Sequence, residues 1–381
     1  MIRGRSRWRE LSVSLRDHCT LANRIRSQFY STRPKAPPVI FSGIQPTGIP
    51  HLGNYLGALK QWVKLQNDAS PDTTLLYSLV DLHALTTQED PDQLRQWRRD
   101  MLAALIAVGL NPDRSIIFYQ SKVPAHTELM WILSTNASMG YLSRMTQWKS
   151  KLDLPDDSSP FDAAVKMKLK LGLFSYPVLQ AADILVHRAT HVPVGSDQSQ
   201  HLEFARDCAN GFNHNYGPVL VAPDTLLSPA KRVMSLTRPH LKMSKSHTDP
   251  KSRIMITDSR EEIERKVKSA LTDSVSGISY DPTGRPGVSN LLEILFHLQD
   301  DHDQASPQEL AKIYEALSMR AFKEQVSGCI EHHLRGIRDA FASLVRGSDR
   351  KRLDEAMMLG TNKANQSAQQ TMDSVRNAIG L

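Results

Sequence analysis

Along the first half of the chain, short apolar runs alternate with stretches in which apolar residues recur every three or four positions. The first run covers residues 39–42 and breaks at Gly43. A helical pattern follows over 52–66, then a second run over 74–80. Pro91 opens a helix reaching about Gly109, where Asn111-Pro112 stops it. A third run, over 115–119, is rich in β-branched and aromatic residues, and helical spacing returns over 125–148. Strand, helix, strand, helix, strand predicts a parallel sheet with crossover helices. Residues 150–160, with Pro155, Pro160 and polar neighbours, are expected to form a loop. Helices are expected over 161–171, 177–186 and 197–212, with a short strand at 191–194 before the last. Beyond Arg260 the pattern is helical only, over 260–271, 290–299 and most of 306–378. The predicted fold is α/β: a Rossmann-like parallel-sheet domain over 37–255 followed by an all-helical domain over 256–381, without internal repeats. No apolar run approaches the ~18 residues needed to cross a bilayer, so no membrane role is expected.

Charge changes this picture at one end only. Residues 1–36 hold eight Arg and one Lys against Glu10 and Asp17, a net of +7 that equals the net charge of the whole chain. The rest is balanced at 38 basic and 38 acidic residues. Any polyanion site on the body must therefore be a local patch. In the basic segment Trp8, Leu11, Leu15, Cys19, Ala22, Ile25 and Phe29 recur at helical spacing, with Arg5, Arg9, Arg16 and Arg24 opposite and Arg26 at the edge of the apolar face. An amphipathic, acid-poor, Arg-rich helix of this kind resembles a mitochondrial presequence, with a processing site around Phe29 to Ser31 and a linker up to residue 36. The alternative is a basic arm that stays on the chain and binds RNA. Cys19, Cys208 and Cys329 form no C-x-x-C pair, which argues against a disulfide scaffold or structural zinc. His126, His187, His191 and His201 match no compact metal-ligand spacing, so no metal site is expected.

Two segments carry candidate chemistry. F-S-G-I-Q-P-T-G-I-P-H-L-G-N, residues 41–54, lies at the carboxyl end of the first predicted strand and runs into a helix, where open parallel sheets bind nucleotides. Gly43 and Gly48 allow close approach of a ligand, and His51 and Asn54 sit three apart at a helix start suited to an anion. Gly53 would leave room for an adenine ring. Alone, the segment is equally well a chain-reversing turn. K-M-S-K-S, residues 242–246, sets two ammonium groups among hydroxyls between Pro239 and Pro250. Lysines there act as movable point charges for a polyphosphate. A solvated basic loop is the bland alternative, but a specified five-residue string arises by chance on the order of once in ten thousand chains of this length.

Together the two segments carry a resemblance. H-L-G-N resembles the H-I-G-H signature of class I aminoacyl-tRNA synthetases, with Asn54 in place of the second His, and K-M-S-K-S matches their second signature. F-S-G-I-Q-P-T-G at 41–48, L-G-N-Y-L-G-A at 52–58, A-V-G-L-N-P at 107–112, Y-P-V-L-Q-A-A-D-I-L at 176–185 and V-P-V-G-S-D-Q at 192–198 are similar to the tryptophanyl-tRNA synthetases of bacterial and organellar type. The likeness spans about residues 38–381. It implies activation of L-tryptophan by ATP with Mg²⁺, transfer to tRNA(Trp), no tightly bound cofactor, a homodimer in which one tRNA spans both subunits, and anticodon reading by the helical domain. With the presequence, it implies the mitochondrial matrix.

Residue roles follow from the same resemblance. Gln45, Pro46, Thr47, Gly53 and Asn54 match ATP-contacting positions, with His51 beside them. Gly195, Ser196 and Asp197 match a loop holding ribose and adenine, where Ser196 replaces the usual Glu. Val233 matches a backbone contact to adenine, and Lys242, Met243, Ser244, Lys245 and Ser246 the mobile loop over the phosphates. Asp183 matches the acceptor for the indole N–H; on its residues alone it would cap or pair with a neighbour such as Arg188. Phe41, His83, Tyr176, Gln180, Val194 and Gln198 match other tryptophan-pocket positions. The Met and aromatic residues between 130 and 145 are expected in core and subunit contact. Arg346, Arg350, Lys351 and Arg352 form a solvated turn or a tRNA-backbone contact. The rival readings are a tyrosyl-tRNA synthetase, a small adenylyltransferase, and an RNA-binding descendant without aminoacylation.

Overall fold

Five short strands, the first three largely buried, alternate their side chains between the two faces of one sheet. They are β1 (Val39–Ile44), β2 (Thr74–Leu79), β3 (Ile116–Tyr119), β4 (His191–Val194) and β5 (Asp224–Leu227). All pair parallel, in the order β3-β2-β1-β4-β5. The computed structural model describes residues 37–194, 199–227, 233–299, 306–347 and 349–381. The predicted presequence helix and its linker lie outside the described residues, as do Gly195, Ser196, Asp197 and Gln198.

The helices that matter for the site are α1 (Lys60–Asp68), α2 (Pro91–Ala107), α3 (Ala125–Ser134), α4 (Leu171–Leu185), α5 (Ser199–Tyr216), α6 (Arg260–Lys268), α7 (Pro286–Leu298), α8 (Met319–Arg346) and α9 (Arg350–Ile379). Ile40, Leu75, Tyr77, Leu79, Ile117 and Tyr119 face one hydrophobic core, shared with α2, α6, α7 and α8. Their strand neighbours Phe41, Leu76, Phe118 and Val192 face a second core, shared with α3, α4, α5 and the end of α9. Both faces of the parallel sheet are thus covered, which is why its strands appear in sequence as near-continuous apolar runs. Residues Pro38–Leu381 form one compact unit. Among the described residues no helix is long and apolar enough to cross a membrane.

Two elements differ from the sequence-based expectation. Helix α4 was expected to begin at Pro177, since proline suits the first helical turn. It begins instead at Leu171 and runs through Pro177. Burial of Leu173, Phe174 and Tyr176 in the second core offsets the missing N–H. Strand β5 was not anticipated, because its four residues, D-T-L-L, are too few to show a pattern.

Helix α9 crosses the β3 edge of the sheet. Its Leu353 belongs to one core and its Ala364, Ala368, Met372 and Val375 to the other. The crossing point is Gly360, where a Cβ would lie 1.8 Å from the carbonyl oxygen of Ile117 in β3. The Asn365 side chain donates to the Lys122 carbonyl at 3.0 Å, and Arg376 pairs with Glu128 of α3 at 2.6 Å. A long helix over an edge strand also blocks pairing with other chains there. Alanine is the better helix former by about 1 kcal/mol, yet Gly360→Ala is expected to destabilise the protein by about 3 kcal/mol through backbone collision. Urea unfolding of wild type and variant checks this; a stabilised variant would show that α9 does not lie against β3.

Candidate active site

Chain order turns back after β3. The chain runs outward from β1 to β2 and β3, then returns to place β4 on the far side of β1. The crossovers diverge at the carboxyl ends of β1 and β4, and a crevice opens there. A cavity of about 430 Å³ occupies it. Phe41, Ser42, Gly43 and Gln45 line it from β1, and Val192 and Pro193 from β4. Tyr176, Gln180, Asp183 and Ile184 line it from α4, and His83 from the turn after β2. The helix after His51 is α over Leu52–Asn54, widens to a π turn over Tyr55–Leu59 and tightens again in α1. Gly57 and Ala58 of that widened turn line the same cavity.

At the apolar end of the cavity lies the carboxylate of Asp183, 1% exposed. Its Oδ1 accepts from Gln120 Nε2 at 2.7 Å and from His126 Nδ1 at 2.7 Å, and its Oδ2 accepts from His83 Nε2 at 2.9 Å. Arg188 is not a partner; it is exposed, at φ 52° in the turn after α4. Burial pushes the Asp183 carboxyl up, but the hydrogen bonds and attraction of His126 and His83 outweigh it and hold the group at about 2. An ionised carboxylate has about four lone-pair sites. Three are used, so one remains for a donor in the cavity.

The donors are themselves fixed. Gln120 accepts from the Leu82 N–H at 3.0 Å, which ties it to the turn that carries His83. Asp81 of that turn accepts from the Ser121 N–H at 2.9 Å and the Ser121 hydroxyl at 2.6 Å. The Tyr176 hydroxyl donates to Gln147 Oε1 at 2.6 Å, and His201 Nδ1 donates to Gln180 Oε1 at 2.7 Å.

The two sequence motifs meet at the other end of the crevice. Leu52 N–H donates to the Ile254 carbonyl at 2.7 Å, and Ile256 N–H to the Pro50 carbonyl at 3.1 Å. These bonds stitch the segment after K-M-S-K-S to H-L-G-N. His51 and Asn54 form a reciprocal cap: Asn54 N–H donates to His51 Nδ1 at 3.2 Å and His51 N–H to Asn54 Oδ1 at 3.1 Å. Burial first, then Lys245, Lys242 and Arg253, lower the His51 imidazole to about 4, so it is neutral at pH 7. Lys245 Nζ donates to the carbonyls of Gly48 at 2.7 Å and Thr47 at 3.2 Å. Burial and then Arg253 push this ammonium down to about 8. Lys242 is exposed. Ser244 and Ser246 hydroxyls lie 2.8 Å apart. Met243 is buried, its N–H donating to the Val233 carbonyl at 3.0 Å. A Cβ on Gly53 would lie 3.0 Å from the His51 ring and 3.5 Å from Met243 Cβ, so these two side chains fill part of the space expected for adenine.

Phe41, His83, Tyr176, Gln180, Asp183 and Gln45 thus share one cavity. Pro46 and Thr47 continue the Gln45 segment; Pro46 is buried and Thr47 exposed. Val194 ends β4 beside the cavity-lining Pro193. Gln61, Gln147 and Lys151 also line the cavity and were not singled out by sequence. Lys151 Nζ sits 5.2 Å over the Tyr176 ring at its mouth. Of the four histidines with metal-like appearance, His126 and His187 join the Asp183 network, His201 bonds Gln180, and His191 Nδ1 lies 2.8 Å from Thr190 Oγ1.

Comparison with known proteins decides the family. Residues 33–335 match the family described as tRNA synthetases class I (W and Y). The mitochondrial tryptophan–tRNA ligase of Schizosaccharomyces pombe is 45% identical over 90% of this chain and 95% of its own length. The chain belongs to the class I tryptophan–tRNA ligases. The mitochondrial tryptophan–tRNA ligase of Saccharomyces cerevisiae is 41% identical over 90% of each chain. Among solved structures, tryptophanyl-tRNA synthetase from Campylobacter jejuni, complexed with ADP and tryptophan, is similar with a TM-score of 0.73 and 30% identity, covering 90% of this chain and all of that one.

In this ligase the Asp183 network also supports the fold. A carboxyl depressed on folding stabilises fully above its unfolded value of 3.8, and the contribution fades as pH falls through about 2. Asp183→Asn, which turns one acceptor into a donor among donors, is expected to cost about 3 kcal/mol near neutral pH. The gap between variant and wild type should close as pH falls from 3.8 toward 2. Urea midpoints measured across that range test it; a gap independent of pH would mean the carboxyl is not ionised in the fold.

Proposed function

We propose that this ligase activates L-tryptophan with ATP to tryptophanyl-adenylate and transfers it to tRNA(Trp), in mitochondrial translation and within the matrix. The observation that carries the substrate assignment is the ionised, buried Asp183 in the cavity wall, whose three hydrogen bonds leave one acceptor site unused. The indole N–H is a donor of matching polarity. Phenylalanine would leave that last acceptor site unfilled, and discrimination by a polar partner of this kind reaches about 10⁴-fold. Phe41, His83 and Gln180 line the indole end and Tyr176 the α-amino end, and the family resemblance assigns Val194 to the first and Gln198 to the second.

The reaction needs positioning and charge more than proton transfer, because the substrate carboxylate is already ionised at pH 7. One of its oxygens attacks the α-phosphorus of ATP. The bond from that phosphorus to the bridging oxygen breaks, and pyrophosphate leaves. Gln45, Pro46, Thr47, Gly53 and Asn54, with His51 beside them, form the wall for ATP. Gly195, Ser196, Asp197 and the Val233 backbone hold the nucleoside. Lys242 and Lys245, with Met243, Ser244 and Ser246, close on the phosphates, and Mg²⁺ enters with ATP. The Gly48 and Thr47 carbonyls that hold Lys245 keep it beside the first motif before ATP arrives. A hydroxyl of the terminal ribose of tRNA then attacks the activated carbonyl, and AMP leaves.

The active unit is a homodimer. Trp131 (75% exposed), Phe161 (67%), Met167 (82%) and Leu171 (78%) are large apolar side chains left to solvent by one subunit. Helices α3 and α4, which carry Trp131 and Leu171, pack on each other. Apolar surface of this kind is what a symmetric partner covers. The exposed Arg346, Lys351 and Arg352 suit the tRNA backbone. Residues 256–381 supply the helical surface for the anticodon.

Amino-acid-dependent ATP–pyrophosphate exchange, run with all twenty amino acids on a chain starting near Ser31, tests the activity. Exchange is expected with tryptophan alone, lowered about 100-fold or more in Lys245→Ala. Exchange with tyrosine instead would sink the substrate assignment. Sedimentation should give a dimer that Trp131→Glu with Met167→Glu converts to monomer; a wild-type monomer would rule the assembly out.

A further inference from the structure

Behind Asp183 the hydrogen bonds do not stop. His126, fully buried, turns its Nε2 to His187 Nε2 at 3.3 Å, and His187 Nδ1 lies 3.1 Å from the hydroxyl of Ser367 on α9. None of these three residues lines the cavity. Burial holds the His187 imidazole far below its ordinary range, so it carries a single N–H. The protons can then be placed in order. With a neutral imidazole, His126 donates from Nδ1 to Asp183 and keeps a lone pair on Nε2. His187 must donate to that lone pair from its own Nε2, which leaves its Nδ1 as an acceptor. Ser367 supplies the proton for Nδ1. In this assignment every bond has one donor and one acceptor, and the series runs one way, from Ser367 to Asp183.

We propose that His126, His187 and Ser367 are positioning residues for tryptophan recognition, holding Asp183 so that its one unused lone pair faces the indole N–H. The proposal rests on Asp183 being the indole acceptor. Its chemistry is a matter of tautomers. Without a donor at His187, the His126 ring is free to place its proton on either nitrogen, and the tautomer protonated at Nε2 would put a lone pair against the carboxylate. Asp183 would then turn to recover a donor, and the lone pair aimed at the cavity would be lost. The rings are also packed to prevent reorientation. Phe41, which lines the cavity, stacks on His187 at 5.9 Å and 19°, and Phe118 lies 5.5 Å from His187 and 5.8 Å from His126.

The test separates recognition of the N–H from everything else about the substrate. β-(3-Benzothienyl)alanine has the shape of tryptophan with sulfur in place of the N–H. Pyrophosphate exchange gives kcat and KM for both amino acids in the full-length enzyme. Wild type is expected to prefer tryptophan by about 100-fold or more in kcat/KM. His187→Leu keeps the volume and removes both nitrogens. It should cut that preference about tenfold, mainly through KM for tryptophan, while KM for the sulfur analogue and for ATP stay within about twofold. His187→Gln, whose amide donates to His126 and accepts from Ser367, should restore most of it. Ser367→Ala, a milder change on a half-buried helix face, should lower the preference about threefold and decides the matter if the leucine variant does not fold. Equal loss for both amino acids, or an unchanged preference, would overturn the proposal. A wild type indifferent to the N–H would overturn the indole assignment beneath it.

Discussion

A carboxylate taken out of water must find donors in the protein, and Asp183 finds them on three separate elements. Gln120 follows β3, His83 follows β2 and His126 lies on α3, while Asp183 itself is on α4. Each partner sits at or beyond the carboxyl end of the sheet. The charge therefore cross-links the loops that an open parallel sheet would otherwise leave to move independently. Replacing such a cluster with apolar side chains is often neutral or better for stability. Its place in a cavity wall agrees with the proposed reading of an ionised acceptor that has one site unused by the protein.

The opposite end of the crevice solves a different problem. In the proposed reaction phosphates arrive with high charge and leave as pyrophosphate, so the cations meant for them must be movable. The lysines of K-M-S-K-S sit on a short, partly exposed loop, yet its flanks are fixed. Ile254 and Ile256 pair with Leu52 and Pro50, and Asn290 of α7 holds both backbone groups of Met234, at 2.9 and 3.1 Å. The loop can move only about these anchors. His51 adds no charge, because burial and the neighbouring cations keep it neutral, and its Nδ1 serves the helix cap. Positive charge at this end thus belongs to side chains that can reach or withdraw.

Much of this was legible in sequence, for identifiable reasons. Strands β1 to β3 are buried on both faces and so appear as apolar runs. The two motifs are contiguous strings whose chemistry is local. Asp183 stood out as a carboxylate inside an apolar helix, but its partners did not follow from the residues alone; the resemblance supplied His83 and neither Gln120 nor His126. His83, Gln120 and His126 lie 100, 63 and 57 residues away, and no periodicity links them. Arg188 was the nearer candidate by sequence and the wrong one, because the turn after α4 carries it to the surface. Lys151 and Gln147 follow the same logic. They look like ordinary surface residues on a short helix, and only tertiary packing brings them to the cavity mouth. The departure at α4 shows propensity yielding to burial: Pro177 argues for a helix start, and the side chains before it gain more by extending the helix into the core.

Helix α9 joins these arguments. Its length is set by the need to pass from one core to the other across β3, and Gly360 makes that passage possible. Once across, it presents Ser367 to His187 and Arg376 to Glu128 of α3. The same helix that seals the sheet edge therefore abuts the back of the amino-acid site. Its first turns carry the exposed Lys351 and Arg352. A displacement of α9 along its axis would change the donor available to His187 before it changed any contact in the cavity. The amino-acid site and the helical surface are thus connected through one hydroxyl and two imidazoles, over a path short enough for each bond to be altered singly.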